Sequence, residues 1–120
     1  MILAFKLSDI ITVPFGWLLA LLYHTNGFAD SCLVLYARKN RSEMNRVGIT
    51  VSKKLGHAVV RNRTRRRLRE VYRRNEDRFQ PGWDIVVVAR VRAVNAPFHK
   101  LTASFLTLAA KAGILIEDAQ

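Results

Sequence analysis

The nine residues Arg61-Asn62-Arg63-Thr64-Arg65-Arg66-Arg67-Leu68-Arg69 decide the fold, because they combine six arginines with the apolar spacing of a helix. Around them, apolar or small side chains recur at steps of three and four residues, which is typical of one buried helical face. These side chains are Val60, Thr64, Leu68, Val71 or Tyr72, Asn75 and Phe79. The pattern predicts a long helix over residues 58–78, with the arginines on its other faces.

Predicted strands lie on both sides of this helix. Residues 32–38 are rich in β-branched and aromatic side chains, and residues 46–52 alternate apolar side chains with small or polar ones. The short polar loop between these two strands suggests that they pair antiparallel. After the helix, Pro81-Gly82 is a stop signal, and residues 83–90 are apolar enough to lie inside a sheet.

A second helix is predicted over residues 96–112, with Gly113 at its C-cap. Its predicted core face consists of Phe98, Leu101, Phe105, Leu108 and Ala112. The order of elements predicts a small single-domain α+β fold, in which helices cover a sheet. The long helix forms a strand–helix–strand crossover. If its two strands are parallel neighbours, the base rate favours a right-handed connection.

The positive charge of the chain is concentrated around the arginine-rich helix. Residues 38–78 contain 15 basic and 4 acidic residues, so their net charge of +11 equals that of the whole chain. Arginine stays charged and presents a planar set of donors suited to phosphate. Because 50% of the residues are hydrophobic, the sequence indicates a folded polyanion-binding domain rather than a disordered basic tail. The alternatives are a merely soluble surface or attraction to anionic lipid.

Side chains that support catalysis or bind metals form no suitable group in this sequence. Cys32 is the single cysteine and is predicted to be a small buried hydrophobe, and the three histidines stand far apart. The adjacent acids Glu76-Asp77 lie beside arginines, where a solvated ion-paired face is the commoner arrangement. No glycine-rich phosphate loop or nucleophile motif occurs. The sequence predicts no metal site, no small-molecule substrate and no catalytic residue.

Residues 1–28 differ from the rest of the chain, because they are apolar and almost uncharged. The uncharged apolar run 10–22 is shorter than the ~20 residues of a membrane-spanning helix, and Phe28-Ala29-Asp30-Ser31 after it is a poor signal-peptide cleavage site. We therefore predict no membrane partner and a cytoplasmic location. The predicted organisation is an atypical N-terminal segment, 1–28, with a possible first helix, then a domain, 29–116, and a tail, 117–120.

Two stretches of the sequence resemble a known protein family. The first is Arg46-Val47-Gly48-Ile49-Thr50-Val51-Ser52-Lys53-Lys54-Leu55-Gly56-His57-Ala58-Val59-Val60-Arg61-Asn62-Arg63, continued by residues 65–70. The second is Pro81-Gly82-Trp83-Asp84-Ile85-Val86-Val87-Val88-Ala89-Arg90. Both are similar to the protein subunit of bacterial ribonuclease P, over about residues 33–115. The resemblance implies a mixed sheet of approximately four strands with helices, and a left-handed βαβ crossover against the base rate.

The same resemblance implies a function. Ribonuclease P is a ribonucleoprotein endonuclease that removes the 5′ leader of precursor tRNA, and its large RNA is the catalyst and uses magnesium. The implied partners are therefore that catalytic RNA and precursor tRNA, and the protein alone binds no cofactor. The alternative is a non-catalytic, structured-RNA-binding protein, ribosomal or chaperone-like, on the same fold.

The predicted site residues follow from the family motifs and the local charge. The RNA-binding set is Arg46, Lys53, Lys54, Arg61, Asn62, Arg63, Arg65, Arg66, Arg67, Arg69 and Arg73. The leader-binding set is Tyr23, Tyr36 and Arg38. The N-terminal part departs from the family pattern, because Leu19 stands where phenylalanine is usual and Asn26 where glycine is usual. Our hypothesis is that residues 1–28 are an altered or misread N-terminus joined to an ordinary family domain.

Overall fold

The computed structural model describes residues 27–116, in which the predicted elements occur in the predicted order with two additions. The strands are β1 (Phe28–Ala29), β2 (Leu33–Lys39), β3 (Arg46–Thr50) and β4 (Trp83–Ala89), and the helices are α1 (Ala58–Asn75), α2 (Val91–Asn95) and α3 (Phe98–Ala112). Short 3-10 turns at Lys53–Leu55 and Glu76–Arg78 precede and follow α1. The additions, β1 and α2, are too short to leave a periodic signal. The possible first helix of the N-terminal segment lies outside the described residues.

The four strands form one mixed sheet in the order β1-β2-β4-β3. Strand β4 pairs antiparallel with β2 and parallel with β3. The predicted antiparallel pairing of β2 with β3 is therefore wrong, because β4 lies between them. Strand β4 lies between β2 and β3, and its consecutive side chains Ile85, Val86 and Val87 are all fully buried, so both faces of the sheet are covered at this strand. The prediction that this strand lies inside the sheet is confirmed.

Helix α1 connects β3 to β4, which are parallel neighbours, so it is the predicted crossover helix. It is regular as far as Asn75, and the predicted remainder of the helix is the 3-10 turn Glu76–Arg78. The predicted α+β class with a mixed four-stranded sheet is confirmed. The left-handed path of the crossover stays a prediction from the resemblance.

One face of the sheet packs against α1 and α3. Helix α1 buries Thr64, Leu68, Val71 and Tyr72. Helix α3 buries Leu101, Ser104, Phe105, Leu108 and Ala109 and ends at Gly113, whose φ of 77° is the left-handed C-cap conformation. The Tyr72 and Phe79 rings lie 5.0 Å apart between centroids, and the Phe79 and Phe105 rings lie 5.9 Å apart. This aromatic cluster fixes both helices on the sheet.

Strand alternation leaves a second sheet face, directed away from the core. Its residues are Val34, Tyr36 and Arg38 on β2, Asp84, Val86 and Val88 on β4, and Arg46, Gly48 and Thr50 on β3. Tyr36 and Arg38 therefore share a face with Arg46, while α1 lies on the opposite side of the sheet. Within residues 27–116, none of the helices combines the length and apolar character that crossing a membrane requires.

Candidate nucleic-acid interface

The basic side chains of α1 form a continuous surface because the buried positions use only one side of the helix. We name this surface the arginine ridge. It consists of Arg61, Arg63, Arg65, Arg66, Arg67, Arg69 and Arg73. The predicted division of the helix into a buried stripe and an arginine-bearing remainder is confirmed. Lys53 and Lys54 are exposed in the 3-10 turn just before the helix.

Three arginines of the ridge also donate to main-chain carbonyls. Arg61 Nε does so to Gly56 at 3.2 Å, in the turn before the helix. Arg63 Nη2 donates to the carbonyl of Val94 at 3.0 Å, and Arg67 Nη2 donates to the carbonyl of Ala96. These carbonyls lie at the C-terminal end of α2, where a cation is favoured by the unsatisfied acceptors and the helix dipole. Each guanidinium has five N–H donors and spends one here. Arg63 and Arg67 therefore fasten α2 to α1, a role that the sequence did not indicate.

A groove beside α1 is lined by side chains from the middle of the arginine ridge. It measures ≈ 420 Å³ and is lined by Arg66, Arg67, Arg69, Glu70, Arg73 and Phe98. The Nε of Arg69, one of these lining residues, is buried and has no hydrogen-bond partner among the described residues. A buried donor without an acceptor is destabilising by about 1–3 kcal/mol. Because that Nε is closed off from solvent, a phosphate oxygen in the groove would instead meet the exposed Arg66 and Arg73, while the Phe98 ring offers an apolar surface beside it.

Glu70 is the acidic residue of this groove, and its carboxylate accepts hydrogen bonds from Arg73 and Arg74. Arg73 Nε lies 3.0 Å from Oε1 of Glu70, and Arg74 Nε lies 2.8 Å from its Oε2. The hydrogen bond from Arg73, followed by that from Arg74, lowers the pKa of Glu70 to about 2, and the same bond raises the pKa of Arg73. Glu70 is therefore ionised at neutral pH and partly neutralises the end of the ridge.

Replacing Glu70 by glutamine is expected to tighten RNA binding by about two- to fivefold and to steepen its salt dependence by up to roughly one unit. The change removes a negative charge beside the phosphates and releases Arg73 and Arg74. Binding isotherms at several salt concentrations measure both quantities. Glu43→Gln, at an exposed loop acid, is the matched control and should change neither. Weaker binding by the Glu70 variant would show instead that Glu70 orients the arginines for RNA.

The second sheet face holds a separate basic group around Asp84. Its carboxylate is fully buried and accepts from Arg46 twice, from Nε at 2.9 Å and from Nη2 at 2.8 Å. This side-on geometry is the strong bidentate form of an arginine–carboxylate pair. Asn40 Nδ2 donates to the same carboxylate at 3.0 Å, and Arg38 Nη2 lies 4.0 Å from it. Asp84 thus joins side chains from all three long strands.

The predicted site residues therefore divide between two surfaces. The residues of α1 lie on the helical layer, where Asn62 accepts a hydrogen bond from Arg65 at 2.7 Å. Tyr36, Arg38 and Arg46 lie on the second sheet face, where the Tyr36 ring packs so closely on Gly27 that a Cβ there would lie 2.7 Å from it. Tyr23 lies outside the described residues.

Asp84 was missed as a site residue, although one signal for it was present. An acid inside an otherwise apolar strand requires a partner, and Arg38 and Arg46 occur in the neighbouring strands. Across residues 27–116, no group of three or more histidine, cysteine or acidic side chains could hold a metal ion. Cys32 is buried, as predicted.

The fold and these surfaces define a small α+β protein with a strongly basic crossover helix. The family model named Ribonuclease P matches residues 19–113 of the chain. The chain therefore belongs to the ribonuclease P protein family. The ribonuclease P protein component of Clostridioides difficile is 45% identical over 94 residues, which cover 78% of this chain and 82% of that protein. That of Natranaerobius thermophilus is 41% identical over 73% of this chain and 76% of its own length.

Solved structures show the same fold. The RNase P protein of Staphylococcus aureus matches with a TM-score of 0.78 and 26% identity, over 88% of this chain and 96% of that one. The RNase P protein of Thermotoga maritima matches with a TM-score of 0.75 and 28% identity, over 85% of this chain and 96% of that one. The sheet and three helices described above are thus the architecture of the family.

Proposed function

We propose that the chain is the protein subunit of a ribonuclease P and binds its catalytic RNA through the arginine ridge. Membership of the family supports an RNA partner. The observation that carries the proposal is the groove of α1, whose lining brings together four arginines, Arg66, Arg67, Arg69 and Arg73. Such a site suits closely spaced phosphates of a folded RNA better than a single small anion.

The second sheet face is proposed to bind the 5′ leader of precursor tRNA. It combines an aromatic ring, Tyr36, with two guanidinium groups, Arg38 and Arg46, on adjacent strands. Aromatic stacking with cationic contacts to the backbone is the usual way to hold single-stranded RNA. The side chains of Arg38 and Arg46 are 40% and 54% exposed, so both can reach a strand lying across the sheet.

In this proposal the protein assists leader removal in the cytoplasm, and the RNA performs the cleavage. Magnesium would be bound in the RNA-containing complex, where it would stabilise the negative charge that develops when a phosphodiester is hydrolysed. The residues of this chain neutralise RNA phosphates and hold the leader. Both actions raise the affinity for precursor tRNA without a catalytic group on the protein.

Reconstitution tests the proposed function. The full chain is mixed with a bacterial ribonuclease P RNA at low magnesium, and cleavage of precursor tRNA is followed. We expect faster cleavage than with RNA alone, and the mature 5′ end as the product. Polylysine at equal total charge is the control for nonspecific neutralisation of the RNA phosphates. No gain over RNA alone would favour the non-catalytic RNA-binding alternative, and cleavage by the protein alone would contradict catalysis by RNA.

A further inference from the structure

Helix α2 is held rigidly although it is short. At its start, the Arg90 N–H donates to the Cys32 carbonyl at 2.8 Å, and Arg90 Nη1 donates to the Asp30 carbonyl at 2.9 Å. Ala93, in its middle, is fully buried. At its end, Arg63 and Arg67 bind its last carbonyls, as described above. The exposed side chains of α2 therefore have fixed positions relative to the arginine ridge.

An open groove lies between α2, the turn before β2 and the start of α3; we name it the α2–α3 groove. It measures ≈ 560 Å³, and its lining includes Ser31, Val91, Arg92, Asn95, Pro97 and Lys100. A second depression of ≈ 370 Å³ shares Ser31 and Lys100 with it and extends along α3 past His99. The groove thus combines apolar surface, one amide and two cations. Val91 is 72% exposed, so this apolar surface faces solvent.

The two cations of the groove are not neutralised by nearby acid. Neither Arg92 nor Lys100 forms an ion pair within residues 27–116. The acid of the neighbouring depression, Asp30, accepts hydrogen bonds from Ser104 Oγ at 2.5 Å and from two backbone N–H groups at 2.8 and 2.9 Å. Its ionised carboxylate is held by these neutral donors and forms no ion pair with Arg92 or Lys100. An anionic ligand would meet Arg92 and Lys100 with their charge intact.

We propose that the α2–α3 groove is a second RNA-binding site, which takes an unpaired nucleotide of the catalytic RNA. Arg92 and Lys100 bind the flanking phosphates, the base lies on the apolar surface of Val91 and Pro97, and the Asn95 amide bonds a base edge. The inference rests on the proposed function and extends its RNA contact beyond α1.

The catalytic RNA is the expected occupant, rather than the leader, because of where the groove lies. Arg63 and Arg67 belong to the arginine ridge and contact α2 directly, so one RNA can cover the ridge and the groove together. Tyr36, Arg38 and Arg46 lie on the opposite face of the sheet. A leader bound there is separated from the groove by the sheet and the helical layer.

The test compares full-length variants for binding to the catalytic RNA without precursor tRNA. Replacing Arg92 and Lys100 together by alanine should weaken binding by about tenfold and lower the salt slope by roughly one to two units. The control, with Arg78 and Lys111 replaced by alanine, changes the net charge equally outside the groove. If both double variants behave alike, the groove is not a site and only the overall field matters.

A neutral variant separates nucleotide binding from charge. Asn95→Ala should weaken binding by about two- to fivefold without changing the salt slope, because it removes a base contact and no cation. Base-specific chemical probing of the RNA should show one unpaired nucleotide that the wild-type protein protects and that the Arg92/Lys100 variant leaves reactive. Wild-type binding without such a protected nucleotide would overturn the inference and leave the proposed function standing. Loss of RNA binding by the wild-type protein would defeat both.

Discussion

Replacing Arg65, Arg66 and Arg69 together by alanine is expected to weaken binding of the catalytic RNA by about 100- to 1,000-fold at moderate salt. None of the three donates to a main-chain carbonyl or a carboxylate within the described residues, in contrast to Arg63, Arg67 and Arg73. Apart from the buried Nε of Arg69 and the bond from Arg65 to Asn62, their N–H donors have no acceptor among residues 27–116. The salt slope should fall by roughly two to three units, which titrations at four or more salt concentrations would measure.

The matched control for this prediction replaces the same three residues by lysine. Lysine keeps the charge but lacks the planar set of donors, so the salt slope should stay close to the wild-type value while affinity falls by a smaller factor. Circular dichroism should show unchanged helix content in both variants, since the three side chains lie outside the buried stripe. An alanine variant with a wild-type slope would mean that these arginines face solvent in the complex.

Replacing Asp84 by alanine is expected to lower the free energy of unfolding by about 2–4 kcal/mol, a large share of the stability of a small domain. The buried carboxylate accepts from Arg46 and Asn40 and lies near Arg38, so its loss removes the negative charge that the two arginines share. Solvent exposure of both arginines keeps the effect below that of a fully buried pair. Urea unfolding followed by circular dichroism measures the change.

Two further variants serve as controls for the loss of the Asp84 carboxylate. Asp84→Asn keeps the shape and one acceptor and should lose less stability than the alanine variant. Asp77→Ala removes an exposed acid from the turn after α1 and should leave stability within ~0.5 kcal/mol of wild type. Equal urea midpoints for Asp84→Ala and Asp77→Ala would contradict a stabilising role for the Asp84–Arg46 pair.

The long elements could be predicted because each repeats its signal many times. Helix α1 has a buried stripe several turns long, and β4 is apolar on both faces, so neither depended on distant contacts. Gly113 was predicted as a C-cap for a local reason, its tolerance of positive φ. The arginine ridge could also be predicted, since the buried stripe determines which side chains remain outside.

The rest depended on residues far apart in the chain. The loop between β2 and β3 is short, yet these strands do not pair with each other, because β4, which comes later in the chain, lies between them. Helix α2 has five residues, too few for a periodic pattern. The bonds from Arg63 to Val94 and from Arg67 to Ala96 join residues 31 and 29 positions apart. The sequence alone does not distinguish Arg63 and Arg67, which bind α2, from Arg66, which does not.

The sheet order β1-β2-β4-β3 has a consequence for folding. Strand β4, which lies between β2 and β3, is the last strand in the chain. Strands β2 and β3 therefore have no common partner until β4 has been synthesised. Contacts between distant residues make such topologies slower to form than local ones. Until β4 inserts, β3 has no partner strand, so the buried stripe of α1 lacks most of the sheet on which it packs. The topology thus delays the basic surface until most of the chain has been synthesised.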